Sequence, residues 1–365
     1  MTPWSHSRLR TVSTRRNLLG VTACVSLAGA AGLLRVGAAC AASNPDFVIE
    51  GTAGSWGEMV RRIFVKPFQD QNPNVNFVWS GEASDGVVIS KMLLSCGKPE
   101  FSVADVNTNV GPLVLARGCV EGYDTTLMPN LKYVAKEAVL EAPGIGPYFA
   151  SSNLAILGLV WNTKLAKQPT SWEDLWRPEY KGKIGIPDFV WTGQDWLPAI
   201  SKLHGGDEDN VTPGVTAIAE LVQKNDAVLL HSTDQTIKAF ESEQIVMAPF
   251  WNGRTFAMQR RGIPVAIEFV KNCVFVGDGN IIMKGTPHRD LAQRYVDTTI
   301  DGSKTIQMVT VTGYPPSDTR VKLPPELAGA GVTAGQLANI VPIDWAKVAL
   351  HRDETLRSWN EAVKA

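Results

Sequence analysis

Three short loops carry the side chains that could do chemistry: Thr52-Ala53-Gly54-Ser55-Trp56, Trp251-Asn252-Gly253-Arg254 and Gly277-Asp278-Gly279-Asn280. Each follows an apolar run, and each holds a glycine that lets backbone approach a ligand closely. The residue types suit recognition. Indole is the best face for a cation, so Trp56 and Trp251 fit an apolar or ammonium-bearing guest. Arg254 is a fixed donor fork for a carboxylate or phosphate. Asp278 can accept from an ammonium. Thr52, Gly54, Ser55 and Asn252 complete the candidate ligand-binding set. Ser55 equally suits a helix cap. Plain structural roles compete at Trp251 (core), Arg254 (solvated start of a helix) and Asp278 (turn residue).

Enzyme signatures are missing. The sequence has no Gly-x-Ser-x-Gly elbow, no His-Glu-x-x-His and no phosphate loop of the Gly-x-x-x-x-Gly-Lys type. His204, His231, His288 and His351 are scattered, and no Cys-x-x-Cys occurs. We expect no catalytic residue, no metal and no cofactor.

The 365 residues suit two domains, and 44% hydrophobic with 19% charged residues is ordinary globular composition. The N-terminus stands apart. Arg15-Arg16 precedes the apolar run Val21–Leu34, and small residues follow at Gly37–Ala42. This is the plan of an export signal of the twin-arginine type, expected over residues 1–42. A membrane anchor, or a lipoprotein processed at Cys40, is the alternative. Residues 1–42 hold five arginines and no acid, so 30 of the 35 basic residues remain against 36 acidic ones, a net charge of −6. An acidic body argues against nucleic acid. Of five cysteines, Cys96, Cys119 and Cys273 remain after the signal. That allows one bridge at most, and Cys96 with Cys119 is the nearer pair in sequence.

The elements that must position these loops alternate. Strands are expected near 46–51, 75–79 and 101–106, with helices between and after them at 59–68, 88–94 and 110–118. That order argues for a mainly parallel α/β sheet. Ala142–Phe149, rich in Pro and Gly, reads as a loop. A second α/β unit follows, with junctions near 150–155 and 275–280. Ser55 with Glu58, and Thr170 with Glu173, have capping-box spacing.

At Thr170-Ser-Trp-Glu-Asp-Leu-Trp-Arg-Pro-Glu-Tyr-Lys-Gly-Lys-Ile-Gly-Ile-Pro-Asp188, the chain resembles the solute-binding proteins of ABC importers, in their spermidine/putrescine branch. Trp251-Asn-Gly253 and Gly313-Tyr-Pro-Pro-Ser317 support the resemblance. It implies a type II periplasmic-binding-protein fold: two α/β lobes, joined by two hinge strands, that close over a ligand. Lobe 1 would take 43–152 and 277–322. Lobe 2 would take 153–276 and 323–365, with C-terminal helices. The implied protein is a periplasmic monomer, in a Gram-negative type cell, that hands a small amine or zwitterion to an inner-membrane permease. Trp251 matches a family aromatic and Asp278 a family aspartate that binds a ligand amine. A second family aromatic falls at Val276, and a family acid on the lobe 2 helix falls at Gln194, beside Asp195. With an acid lost and Arg254 gained, a linear ω-amino acid such as γ-aminobutyrate fits better than a polyamine. The rivals are a phosphonate or other anion, ferric iron and a secreted hydrolase. Iron is disfavoured because no two tyrosines are adjacent.

Overall fold

The apolar run Phe47-Val-Ile-Glu-Gly-Thr52 forms β1, the first strand in a computed structural model that describes residues 46–82 and 85–364. The expected export segment and Cys40 lie outside those residues. After β1 (Phe47–Thr52) come α1 (Gly54–Val60), a π turn (Arg61–Val65), α2 (Lys66–Gln71), β2 (Phe77–Glu82), α3 (Asp85–Leu94), β3 (Val103–Asn107) and α4 (Gly111–Ala116). Then follow β4 (Val139–Ala142), β5 (Gly146–Ser151), β6 (Ile156–Asn162), β7 (Gly185–Pro187), α5 (Gln194–Leu203), α6 (Thr212–Asn225), β8 (Val228–Leu230), α7 (Thr233–Glu241), β9 (Met247–Trp251) and α8 (Asn252–Arg260). The chain continues through β10 (Val265–Glu268), β11 (Val274–Phe275), β12 (Asp278–Ile282), α9 (Arg289–Thr299), α10 (Gly302–Thr312), α11 (Ala334–Leu337), α12 (Trp345–Leu350) and α13 (Arg352–Val363).

The first sheet has the order β2-β1-β3-β12-β5-β4. β2, β1 and β3 are parallel, with Phe47 opposite Phe77 and Ile49 opposite Val103. β12 then runs back antiparallel to β3, placing Asp278 opposite Asn107. The second sheet centres on β6, flanked by β9 on one side and by β10 and β11 on the other, all antiparallel to it. β6 is buried at all but one position, which its unbroken run Ile-Leu-Gly-Leu-Val anticipates.

The backbone crosses between the sheets at Ser152–Ala155 and again at Val276-Gly277. Backbone bonds tie these crossings together: Ser152 N–H to Asp278 O (2.8 Å) and Val276 N–H to Ala155 O (3.0 Å). A third segment joins them through Leu154 N–H to Pro315 O (2.8 Å). At Gly277 a Cβ would lie 2.2 Å from Ser151 Oγ and 2.8 Å from Asn153 O, so only glycine lets the crossings pass this closely.

Several expectations need correction. The first sheet is mixed, with β12, β5 and β4 paired antiparallel, and the second is antiparallel, where a mainly parallel arrangement was expected. Ala142–Phe149 is mostly strand: β4 and β5 form a hairpin whose turn uses Gly144 and Gly146 at φ 75° and 77°. The prolines and glycines there mark a turn, not a loop. α1 begins at Gly54 without a side-chain cap, so Ser55 and Glu58 form no capping box. The second box is displaced by one residue: Ser171 caps and Asp174 reaches back.

Cys96 and Cys119 form a disulfide with Cα atoms 4.8 Å apart. Cys273, the one free cysteine among the described residues, is buried, and burial pushes its thiol pKa up.

Candidate ligand-binding cleft

Four of the eight candidate residues come together. Trp56, Trp251, Arg254 and Asp278 line one cavity of ≈ 240 Å³ with Asn107, Ala155, Trp191, Thr192, Asp195, Val276 and Tyr314. Both sheets contribute. Trp56 stands in the first turn of α1 and its Nε1–H donates to Asp105 Oδ1 at 2.7 Å, which orients the indole. Asp278 opens β12, and its Oδ2 accepts from Asn153 Nδ2 at 3.0 Å. Trp251 closes β9 and directs Nε1–H towards Thr192 Oγ1 at 3.4 Å. One turn along α8, the Arg254 guanidinium lies 5.9 Å from the centre of the Tyr314 ring.

The glycine between Trp251 and Arg254 has a structural reason. A Cβ on Gly253 would meet Tyr314 Cδ1 at 2.5 Å and Thr312 O at 2.7 Å. The start of α8 therefore packs directly on the 312–314 segment, and this sets Arg254 beside Tyr314. Burial pushes the Tyr314 hydroxyl up to about 12, the nearby guanidinium opposes that rise, and Asp278 adds to it. Arg254 and Asp278 thus share one end of the cavity. Arg254 is half-buried.

The other end belongs to α5. Asp195 is 7% exposed, and among the described residues its carboxylate accepts from Asn109 Nδ2 alone, at 3.3 Å. Burial raises its carboxyl to about 7, with the Asn109 bond offsetting part of the rise. Composition and spacing gave no cue to Asp195, because it sits inside an amphipathic helix. Gln194 stands where the resemblance places a family acid, and Asp195 is the adjacent carboxylate. Gln194 faces away, and its Oε1 accepts from Arg352 Nε at 3.2 Å. Trp191 and Thr192 precede α5 on a π turn (Phe189–Gly193) that Asp188 caps by accepting from Phe189 N–H at 2.8 Å. Burial opposes ionisation of Asp188, but Lys364 (2.8 Å), the Phe189 amide and His231 (3.2 Å) hold its carboxyl below the usual range.

The remaining candidates stand elsewhere. Asn252 is buried and turned inward: Oδ1 accepts from Ile156 N–H (2.9 Å) and Nδ2 donates to Leu154 O (3.0 Å). Both ends of its amide serve the crossing segment, so it positions backbone, and it does not line this cavity. Thr52 ends β1 opposite Glu82, while Gly54 and Ser55 are exposed, and none of the three lines the cavity.

The bacterial extracellular solute-binding protein family matches residues 64–334. The chain is 25% identical over 280 residues to the gamma-aminobutyric acid-binding protein of Pseudomonas aeruginosa, covering 72% of this chain and 74% of that one. It is also 25% identical over 218 residues to spermidine/putrescine-binding periplasmic protein 1 of Haemophilus influenzae, spanning 58% of this chain and 60% of its relative. An ABC transporter structure from Clostridium perfringens shares the fold, with a TM-score of 0.75 at 19% identity over 87% of this chain and all of its own. Proteins of this kind bind small solutes for ABC importers, are exported and catalyse nothing. With two α/β lobes of the type II periplasmic-binding fold around its cavity, the chain belongs to the bacterial extracellular solute-binding protein family.

Proposed function

We propose that this protein captures a linear ω-amino acid, of the size of γ-aminobutyrate, between its lobes and delivers it to an inner-membrane permease. The observation that carries the reading is a half-buried arginine at one end of the cavity and a buried carboxylate, Asp195, at the other. Arg254 takes the ligand carboxylate in a charge-assisted fork. The ammonium meets Asp195 at the other end. Trp56, Trp191 and Trp251 pack on the methylenes and offer the cation their faces. The relative that binds gamma-aminobutyric acid supports this cargo, and the spermidine/putrescine-binding relative supports an amine. A diamine would leave the Arg254 guanidinium without an anion, which is costly in a desolvated site.

Lobe 1 takes residues 43–152 and 277–322, and lobe 2 takes 153–276 and 323–365. Residues 1–42 direct export by the twin-arginine route to a Gram-negative periplasm, where the protein acts as a monomer.

A thermal-shift panel on the mature chain, stripped of ligand, tests the cargo. A ligand at 100 times its Kd adds about 2.7 kcal/mol of stability. γ-Aminobutyrate and its homologues should raise the midpoint, and putrescine, spermidine, phosphonates and ferric citrate should not. Arg254→Ala should cost about 2–5 kcal/mol of ω-amino acid affinity, at least thirtyfold in Kd by calorimetry. Unchanged affinity would remove Arg254 from the site.

A further inference from the structure

Asp195 is the one side chain common to the cleft and to a second cavity of ≈ 190 Å³. Both sheets' helices wall this chamber: Ile89 of α3 and Leu113 of α4 on one side, Leu197 and Pro198 of α5 on the other. Val348 and Ala349 of α12 cover it. Its lining is mostly apolar, and the polar groups that reach it are engaged. Glu208 pairs with Lys202 (2.9 Å) and accepts from the Asp344 amide (2.8 Å). Arg352 donates to Gln194 (3.2 Å), and His351 lies 3.4 Å from Asp209. Asp195 differs, since a single donor serves a carboxylate able to accept about four. The apolar part of this lining favours an apolar group over water.

We infer that the cargo is a secondary amine: an N-alkyl ω-amino acid whose ammonium sits on Asp195 and whose carboxylate arm reaches Arg254, while its alkyl arm fills the chamber under α12. This rests on the reading that Arg254 takes a carboxylate. The geometry asks for an ammonium whose substituents leave in two directions, because Asp195 lines both cavities. A secondary ammonium keeps two N–H donors, enough for Asp195 and one more acceptor. A primary amine leaves the chamber empty, and a quaternary one gives Asp195 no donor.

Calorimetry with γ-aminobutyrate and its N-butyl derivative tests this. Each buried carbon is worth about fourfold in affinity, so the four carbons of the N-butyl arm should tighten binding by up to about 250-fold. Ala349→Phe and Leu113→Phe fill the chamber from different walls. Each should cancel that gain and leave γ-aminobutyrate affinity unchanged, with folding checked by circular dichroism. An N-butyl compound no tighter than its parent overturns the inference, as does a gain that survives in both folded variants. If γ-aminobutyrate binds and the alkyl arm adds nothing, the chamber proposal alone falls. If neither compound binds, the proposed function falls with it.

Discussion

At the scale of single residues, Asp195 sets a pH dependence with two signs. A carboxyl raised to about 7 keeps its proton in the folded, ligand-free protein while the unfolded chain ionises from about pH 4. The folded state then binds more protons, so its stability falls as pH rises across that window and is level above it. Ligand binding runs the other way. An ammonium needs the ionised carboxylate, so a proton must leave first. Affinity for the amine should rise about tenfold from pH 6 to pH 8 and then level off. Calorimetry across that range reads it, and Asp195→Asn should flatten the profile. Asn109, Gln194, Glu208, His351 and Arg352 line the second chamber with Asp195, so the variant is the necessary control. The sequence displayed Trp251, Arg254 and Asp278 plainly because each stands where an apolar run stops. It hid Asp195, whose neighbours read as one turn of an ordinary helix. Asn252 carried a misleading cue: an amide between a tryptophan and an arginine looks ligand-facing, but a buried backbone had first use of it.

At the scale of elements, β1 and β3, expected near 46–51 and 101–106, were legible to within two residues. The β4–β5 hairpin was not, since its prolines and glycines belong to a turn whose strands are short. A β12 antiparallel to β3 was also hidden, because strand direction depends on where the chain returns from. The returning path makes the crossing segments the mechanical centre, and Asn252 anchors one of them from the start of α8. Asn252→Ala would leave Ile156 N–H and Leu154 O buried without this partner. The expected cost is about 2–4 kcal/mol of unfolding free energy, read from urea titration. A cost below 1 kcal/mol would mean that water replaces the amide and the anchor is dispensable.

At the scale of the whole molecule, a type II fold closes by turning one lobe on the other about its crossings. Backbone bonds hold these crossings in register, and the cavity takes walls from both sides, so occupancy should draw the lobes together. X-ray scattering should show a smaller radius of gyration with saturating ω-amino acid than without it. Identical curves would mean that the lobes do not move. The buried thiol of Cys273 makes such motion easy to follow by a second route. It sits out of reach and holds its proton tightly, while Cys96 and Cys119 are locked to each other. In the exported chain, a cysteine introduced on an outer surface would therefore react with maleimide dyes alone. The native scaffold could thus become a fluorescent reporter of its own cargo without first being stripped of sulfur.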